Sequence, residues 1–446
     1  MSAIAGDETI AAVATAQGRG AIAIIRVSGR SAFAIARQHV APWPAVQRQA
    51  TLCTLRDNDG DLLDEALVTT FTAPSSFTGE DVVEISTHGG AVVPTLVLAA
   101  LVASGARIAQ PGEFTRRAVL NGKLDLVQAE AIGDLIDSTS RAMQRVAIKQ
   151  LDGGLSRRIN ELRDSVIDLE ALIAYDIDFP DEDDGPISRV RVEAATGAVV
   201  ESLTSLLETT PAGELIRTGA LVVIAGAPNV GKSSLFNAML GRSRAIVTEM
   251  PGTTRDAIEA VLDSSPWPIR LVDTAGLRET VDVIEQMGIE VATRYLGSAD
   301  VILACGETSE DVAATSEAIA RTTDAPVIRV RTKADLMGST DARAVSALTG
   351  QGVRELLDSI MVIISEHHRA VPLDAPILFR ERQRFCVELA RDEMTAFQSA
   401  LKNQGLPVSV AAVHLRSAAN ALADVTGTVD VEDVLDRLFR TFCVGK

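Results

Sequence analysis

The sequence predicts a multidomain chain of mixed α/β and α character: an N-terminal α+β unit, then a helical domain interrupted by an inserted α/β unit. Three observations predict it. A glycine-rich loop, Gly226 to Ser234, stands between the apolar run Leu221 to Ala225 and the helical stretch Leu235 to Leu240. Leu, Ile and Ala recur at helical spacing on both sides of that unit, over Leu124 to Leu172 before it and over Glu381 to Leu401 and Val431 to Phe439 after it. Short β-like runs, Ala21 to Val27, Ala66 to Phe71 and Val82 to Ser86, gather near the N-terminus. An inserted unit needs its ends close together, so the two helical stretches form one domain.

The loop reads Gly226-Ala227-Pro228-Asn229-Val230-Gly231-Lys232-Ser233-Ser234. Between a strand and a helix, such glycines aim consecutive backbone N–H groups at phosphate oxygens, and the helix adds its positive N-terminal dipole. Lys232 then reaches the outer phosphates and the Ser233 hydroxyl completes a Mg²⁺ shell. Asp273-Thr274-Ala275-Gly276, after the strand-like Ile269 to Val272, offers a second carboxylate for that shell and a glycine N–H for a γ-phosphate. Upstream, Gly252-Thr253-Thr254-Arg255-Asp256 supplies Thr254 as a hydroxyl that a Mg²⁺-bound nucleotide could order. Thr332-Lys333-Ala334-Asp335 follows Pro326 to Val330, and the Asp335 carboxylate accepts both the ring N–H and the exocyclic amine of guanine. Adenine lacks that donor pair, and an unmatched buried carboxylate rejects it by about 10⁴. Ser346-Ala347, after Val345, backs the base. A glycine turn or a Lys-x-Asp is common alone; five elements in order make a Ras-like P-loop GTPase domain.

Leu277 stands where Ras carries its water-orienting glutamine, so that function must come from elsewhere. Glu285, in the acidic segment Glu279 to Glu285, is the candidate; a solvated glutamate on a helix face is the alternative.

Composition bounds the rest. The 446 residues, 47% hydrophobic and 23% charged, suit a soluble chain with several cores. Ala91 to Ala106, interrupted by Pro94, falls short of the ~20 apolar residues a bilayer demands and reads as a buried helix. Asp7 and Glu8, with no basic region leading into an apolar stretch, argue against a secretion signal, so the expected location is the cytoplasm. Cys53, Cys305, Cys386 and Cys443 show no CxxC spacing; the first three read as buried and inert. A net charge of −18 opposes indiscriminate nucleic-acid binding. Arg157, Arg158, Arg163, Arg380, Arg382 and Arg384 are the best local basic patches, or else solvated helix faces. The acidic run Asp176 to Asp184 lacks calcium-loop spacing and reads as a hinge.

Segments outside the nucleotide loops carry a family resemblance. Gly18-Arg19-Gly20, Ile24-Ile25-Arg26-Val27-Ser28-Gly29, Phe77-Thr78-Gly79-Glu80-Asp81-Val82-Val83-Glu84, His88-Gly89-Gly90 and Pro111-Gly112-Glu113-Phe114-Thr115 resemble the MnmE (TrmE) family of tRNA-modification GTPases. So do Asn121-Gly122-Lys123-Leu124-Asp125-Leu126, Ile177-Asp178-Phe179-Pro180-Asp181-Glu182 and the Cys-x-Gly-Lys ending. The likeness spans nearly the whole chain. It implies a tetrahydrofolate-binding and dimerisation domain over 1–120, similar to that of aminomethyltransferases, and a TrmE-type GTPase domain over 218–370. The helical domain then falls in two parts, 121–217 and 371–446.

The resemblance also implies site residues. Arg26, Glu84, Lys123 and Lys446 match positions that hold 5-formyltetrahydrofolate or a related derivative; Arg and Lys suit its carboxylates or carbonyls, and Glu the amino-pyrimidine edge of its pterin. GTP falls to Asn229, Val230, Gly231, Lys232, Ser233 and Ser234; to Thr248, Glu249, Met250, Pro251, Gly252, Thr253 and Thr254; to Asp273, Thr274, Ala275 and Gly276; and to Thr332, Lys333, Ala334, Asp335, Ser346, Ala347 and Leu348. Mg²⁺ falls to Ser233 and Thr254. Asn229, Thr248, Met250 and Thr253 match a K⁺ site that supplies the charge an arginine finger gives elsewhere, so Arg255 is structural. Glu285 matches the catalytic glutamate, and Cys443 a cysteine of the modification reaction whose step stays unassigned.

The implied partners are a second copy of the chain, an FAD-containing protein, MnmG (GidA), in a heterotetramer or larger complex, and tRNA. The implied reaction adds a carboxymethylaminomethyl-type group to carbon 5 of the wobble uridine, using a tetrahydrofolate one-carbon unit while GTP hydrolysis drives dimerisation of the nucleotide domains. A ribosome-assembly GTPase of Era-like or Der-like type would lack the folate-like N-terminus and the Cys-x-Gly-Lys tail, and a folate-dependent methyltransferase would not need every GTPase loop. Two positions depart from the family pattern. Thr332, where asparagine is frequent, is expected to weaken the tie between base loop and phosphate loop; Phe77, where tyrosine is frequent, keeps only the ring.

Overall fold

The computed structural model describes residues 8–16, 18–178, 189–242, 245–246, 258–273, 293–337, 344–369, 371–402, 408–427, 442 and 445. The chain divides into two compact units, one of residues 1–133 with 423–446, the other of residues 134–422.

The first unit runs β1 (Ile10–Val13), β2 (Ile22–Ser28), α1 (Ala32–Ala36), β3 (Val40–Ala41), β4 (Thr51–Arg56), β5 (Leu62–Phe71), β6 (Val82–His88), α2 (Val93–Ala103), β7 (Arg107–Ile108) and α3 (Glu113–Leu120), and then α4 (Leu126–Ile136) leads out of it. Its strands form a seven-stranded sheet in the order β3-β4-β5-β6-β2-β1-β7. Alternation in β2 explains its two faces: Ala23, Ile25 and Val27 are buried, while Ile22, Ile24 and Arg26 point the other way. Of the buried set, Ile25 and Val27 join Val68, Val83, Ile85, Val97 and Leu101 in one core. Val97 and Leu101 come from α2, the helix expected around Ala91 to Ala106, which is buried on one face only, with Leu96 48% exposed, and carries Pro94 in its first turn where no N–H is needed. On the opposite face the antiparallel register sets Arg26 across from Glu84, and Glu84 across from Thr69.

The second unit opens with α5 (Arg141–Leu151), α6 (Gly154–Asp178), α7 (Arg189–Leu207) and α8 (Thr210–Thr218). A six-stranded sheet follows, ordered β13-β12-β8-β11-β10-β9 and built from β8 (Ala220–Gly226), β9 (Ala245–Ile246), β10 (Ile258–Leu262), β11 (Ile269–Asp273), β12 (Val301–Gly306) and β13 (Val327–Arg331). Between and after its strands lie α9 (Lys232–Arg242), α10 (Ser309–Ala320), α11 (Ala334–Met337) and α12 (Val353–His367), and then α13 (Glu381–Lys402) and α14 (Val408–Thr426). β13, β12, β8 and β11 are mutually parallel, and β8 and β12 are buried almost throughout, as parallel strands covered on both faces must be. The antiparallel strands β10 and β9 close one edge. Helix α13, after the sheet in the chain, packs on α7 before it.

The main core of this unit extends past the sheet. Met143 and Val146 of α5, Leu215 and Ile216 of α8, and Ile377 and Phe379 join Val222, Ile224, Leu271 and Leu303 of the strands and Leu356 and Ile360 of α12 in one apolar cluster. Gly213 permits the contact, since a Cβ there would sit 2.0 Å from Leu378 O. Gln150 Nε2 donates to Ile377 O at 3.0 Å, and Arg145 pairs with Asp374. Among the described residues no helix is long and apolar enough to cross a membrane. Cys53 and Cys305 are buried as expected; Cys386 is only half-buried, because its position on α13 lies at the margin of the helix's buried stripe of Gln383, Val387 and Ala390. Most of the acidic run, Val431 to Phe439 and the segment 274–292 lie outside the described residues.

Candidate functional site

Two groups of expected site residues come together, each within its own unit. In the second unit β8 delivers the chain into the glycine loop at the C-terminal edge of the parallel strands, where open α/β sheets bind ligands. Gly226 (φ 157°) passes so close to β12 that a Cβ would meet Cys305 O at 2.4 Å. Asn229 (φ 62°) and Gly231 (φ 95°) hold left-handed backbone, which curls the loop before α9 starts at Lys232. Lys232 is 6% exposed, and its Nζ donates to Gly226 O at 3.0 Å and Ala227 O at 2.8 Å. The ammonium therefore spans the loop's own carbonyls. Asn229, Ser233 and Ser234 are exposed at the loop and the helix start, while Val230 is buried.

Asp273, fully buried at the end of β11, aligns with Ile224 of β8. Cys305 feels both Asp273 and Lys232: its thiol is pushed up to about 12, chiefly by burial, with Lys232 lowering and Asp273 raising it. That thiol stays protonated and is no nucleophile. The buried Asp273 carboxylate and the helix-start hydroxyl of Ser233 are hard oxygen donors of the type that Mg²⁺ takes.

The base loop docks directly on the phosphate loop. Thr332, 5% exposed, donates through Oγ1 to Val230 O at 2.5 Å, with Gly306 O at 3.2 Å from the same hydroxyl. Threonine keeps a tie of its own here: the short, β-branched side chain sets its hydroxyl against the phosphate-loop carbonyl. Lys333, in left-handed backbone (φ 57°), pairs with Glu307. Asp335 begins α11 with an exposed carboxylate, and Ser346 Oγ, fully buried, donates to its Oδ1 at 2.6 Å. Ala334 is buried, Ala347 half-buried and Leu348 85% exposed. Thr248, Glu249, Met250, Pro251, Gly252, Thr253, Thr254, Thr274, Ala275, Gly276 and Glu285 lie outside the described residues.

In the first unit Arg26 Nε and Nη2 both donate to Glu84 Oε1, at 2.9 and 2.7 Å. The rings of Phe77 and Phe114 flank the guanidinium, each centroid 5.6 Å from Cζ. Lys123 is exposed beside the same loop, its Cγ 3.3 Å from where a Cβ on Gly79 would stand. Near the chain's end, Gly445 is buried at φ 101° against Val13 and Ala14, with its carbonyl 3.5 Å from Arg26 Nη1. Lys446 and Cys443 lie outside the described residues. Sequence reasoning missed Phe114, Arg117 and Glu80 as site-shaping residues; a buried Arg and Glu in an open-looking segment is visible only once packing is known. Among the candidate basic positions, Arg380 pairs with Asp134, Arg384 with Glu388, Arg158 with Glu161 and Arg157 with Asp152.

Comparison with known proteins places the whole chain. Residues 9–123 match the family model described as the GTP-binding protein TrmE N-terminus, and residues 126–443 the model described as the MnmE helical domain. A tRNA modification GTPase MnmE from Azoarcus sp. (strain BH72) is 42% identical over 451 residues, covering 98% of both chains. Its counterpart from Akkermansia muciniphila is 41% identical over 99% of both, and that from Aquifex aeolicus 37% identical over 98% of this chain and 100% of the relative. With two domain models in sequence order and end-to-end identity near 40%, the chain belongs to the MnmE family of tRNA modification GTPases.

Proposed function

We propose that this GTP hydrolase of tRNA modification is a K⁺-stimulated, dimeric switch that works with an FAD-containing MnmG-type partner in the cytoplasm on the wobble uridine of certain tRNAs. The observation that carries the reading is the Thr332–Val230 tie, which joins a phosphate-binding loop to a guanine-reading loop. Lys232 trades the carbonyls of Gly226 and Ala227 for β- and γ-phosphate oxygens, and Asp335, oriented by Ser346, reads guanine. Ser233, Thr254 and Asp273 would hold Mg²⁺. Asn229, exposed on left-handed backbone, offers an amide oxygen to K⁺ together with Thr248, Met250 and Thr253. When bound, these cations neutralise charge that develops on the transferred phosphoryl group. Glu285 orients the attacking water in place of Leu277.

The open face of the N-terminal sheet binds a tetrahydrofolate derivative. Both Arg26 bonds fall on Glu84 Oε1, which leaves Oε2 to accept from the pterin's amino group, while Lys123 and Lys446 meet carboxylates or carbonyls. The division 1–120, 121–217, 218–370 and 371–446 organises this reading, with Cys443 carried to the folate by the tail that Gly445 anchors.

The test is GTP turnover in K⁺ and in Na⁺, for the wild type and for Glu285→Ala. K⁺ stimulation and a mutant loss on the order of 10² or more are expected; equal rates in both salts with an unaffected mutant would sink the mechanism. In cells, Cys443→Ser is expected to abolish wobble-uridine modification, read by mass spectrometry of tRNA nucleosides, and intact modification removes the thiol from the account.

A further inference from the structure

Arg26 is held by more than Glu84. The two rings that flank it come from separate segments: Phe77 from the connection between β5 and β6, Phe114 from the first turn of α3. Both segments converge on one side chain. Arg117 Nη1 donates to both oxygens of Glu80, each at 3.0 Å, three residues beyond Phe77. Its Nη2 donates to Glu113 Oε1 at 3.1 Å, next to Phe114, and to Glu8 O at 2.8 Å.

Each carboxylate is fixed from a second side. Arg107 grips Glu113 through Nη2 to Oε1 at 2.7 Å and Nη1 to Oε2 at 3.1 Å, and the Gln110 N–H donates to Oε2 at 2.8 Å. Ser28 Oγ donates to Glu80 Oε2 at 2.7 Å, and Asn121 Nδ2 to Thr78 O at 2.7 Å. Gly79, at φ 79°, folds the loop back so tightly that a Cβ would stand 3.0 Å from Asn121 Cβ. The side chains of Arg117, Glu113 and Glu80 are only 4%, 8% and 14% exposed. Buried ion pairs of this kind add little net stability over apolar packing, because desolvation offsets attraction, but they fix geometry. This one joins the two segments that carry Phe77 and Phe114.

We infer that Arg117 is a positioning residue: by joining Glu80 to Glu113 it sets the gap between Phe77 and Phe114, and with it the orientation in which Arg26 meets its ligand. The inference rests on the folate reading of that site. Its physical content is independent of ligand, because both rings impose a ring-current shift on the Arg26 side-chain N–H.

The experiment compares wild type, Arg117→Lys, Ser28→Ala and Phe77→Leu, plus the double variant of the first and last, in the full-length chain. Calorimetry with 5-formyltetrahydrofolate gives affinity; the Arg26 Nε–H resonance of ¹⁵N-arginine-labelled protein gives the wall geometry; thermal melting reports folding. Arg117→Lys is expected to weaken folate binding about tenfold or more, as small misplacements in preorganised sites do, and to move the Arg26 resonance towards its unshifted position. Ser28→Ala is expected to do the same at about threefold, the effect of one hydrogen bond. In the Phe77→Leu background Arg117→Lys should add less than about twofold, because coupled residues are not additive. Folded Arg117→Lys protein with wild-type affinity and an unmoved resonance overturns the inference, as does a full tenfold loss that persists without Phe77. Should Arg117→Lys fail to fold, Ser28→Ala decides by the same two readouts. A wild type that binds no folate removes the ligand reading, and the resonance shift alone then decides the positioning role.

Discussion

The two sites are built on opposite principles. The phosphate and base loops make theirs from main chain: Gly226, Asn229 and Gly231 bend it, Lys232 bonds to its carbonyls, and Thr332 ties one loop's backbone to the other. The Arg26 site is made almost entirely of side chains, assembled on a sheet face from β2, β6, α3 and an intervening connection, and kept in place by paired charges. A main-chain site concentrates its chemistry in few side chains, whereas a side-chain site spreads it.

The sharpest way to break that contrast is Lys232→Ala. Losing the one buried cation of the loop is expected to lower GTP turnover on the order of 10²–10³-fold, comparable to deleting a transition-state donor; a loss below tenfold would mean that the loop's chemistry is shared as widely as the other site's.

The next effect is on stability and acid sensitivity. Burial pulls the Glu113 carboxyl up, but the bonds from Arg107 and the Gln110 N–H and the charges of Arg107 and Arg117 outweigh it, so its pKa lies below the usual value of 4.5. The stabilisation is thus present above the unfolded value and is lost as pH falls through the lower folded one. Glu113→Gln is expected to destabilise the first unit by about 1–3 kcal/mol at neutral pH, the range for a buried group left mismatched. That gap should narrow below pH 4.5 in denaturant titrations, and a gap independent of pH would show that the charge is not what matters.

The smallest effect belongs to the hydroxyl tie between the two loops. Thr332→Ala leaves Val230 O and Gly306 O without their hydroxyl partner and is expected to weaken GDP binding by about 1 kcal/mol, a factor near five, by calorimetry. A loss as large as that of Lys232→Ala would erase the distinction between the sites.

The same contrast explains what was legible in the sequence. Strands β8, β11 and β13 and the loops that follow them could be read because each motif is local: a glycine at a fixed offset from a lysine reflects backbone geometry that only nearby residues decide. The runs around Ile25, Val68 and Ile85 likewise showed their period-two burial. The Arg117 clamp could not be read, since Glu80 and Arg117 stand 37 positions apart and meet only through sheet register and the docking of α3. Nor could the edge strand β9 and its neighbour β10, whose pairing depends on the strand beside them more than on their own composition. The partner of the threonine in the base loop was out of reach for a related reason: it is a carbonyl in a loop 102 positions away.

The apolar cluster shared by α5, α8 and the nucleotide-binding sheet bears on how this protein can be taken apart. A fragment excised at residues 218 and 370 would strip Met143, Val146, Leu215, Ile216, Ile377 and Phe379 from the interior they complete, leaving an oily scar where the neighbouring helices had lain. Transplanting the GTP-hydrolysing part into another scaffold therefore means carrying those two helices with it.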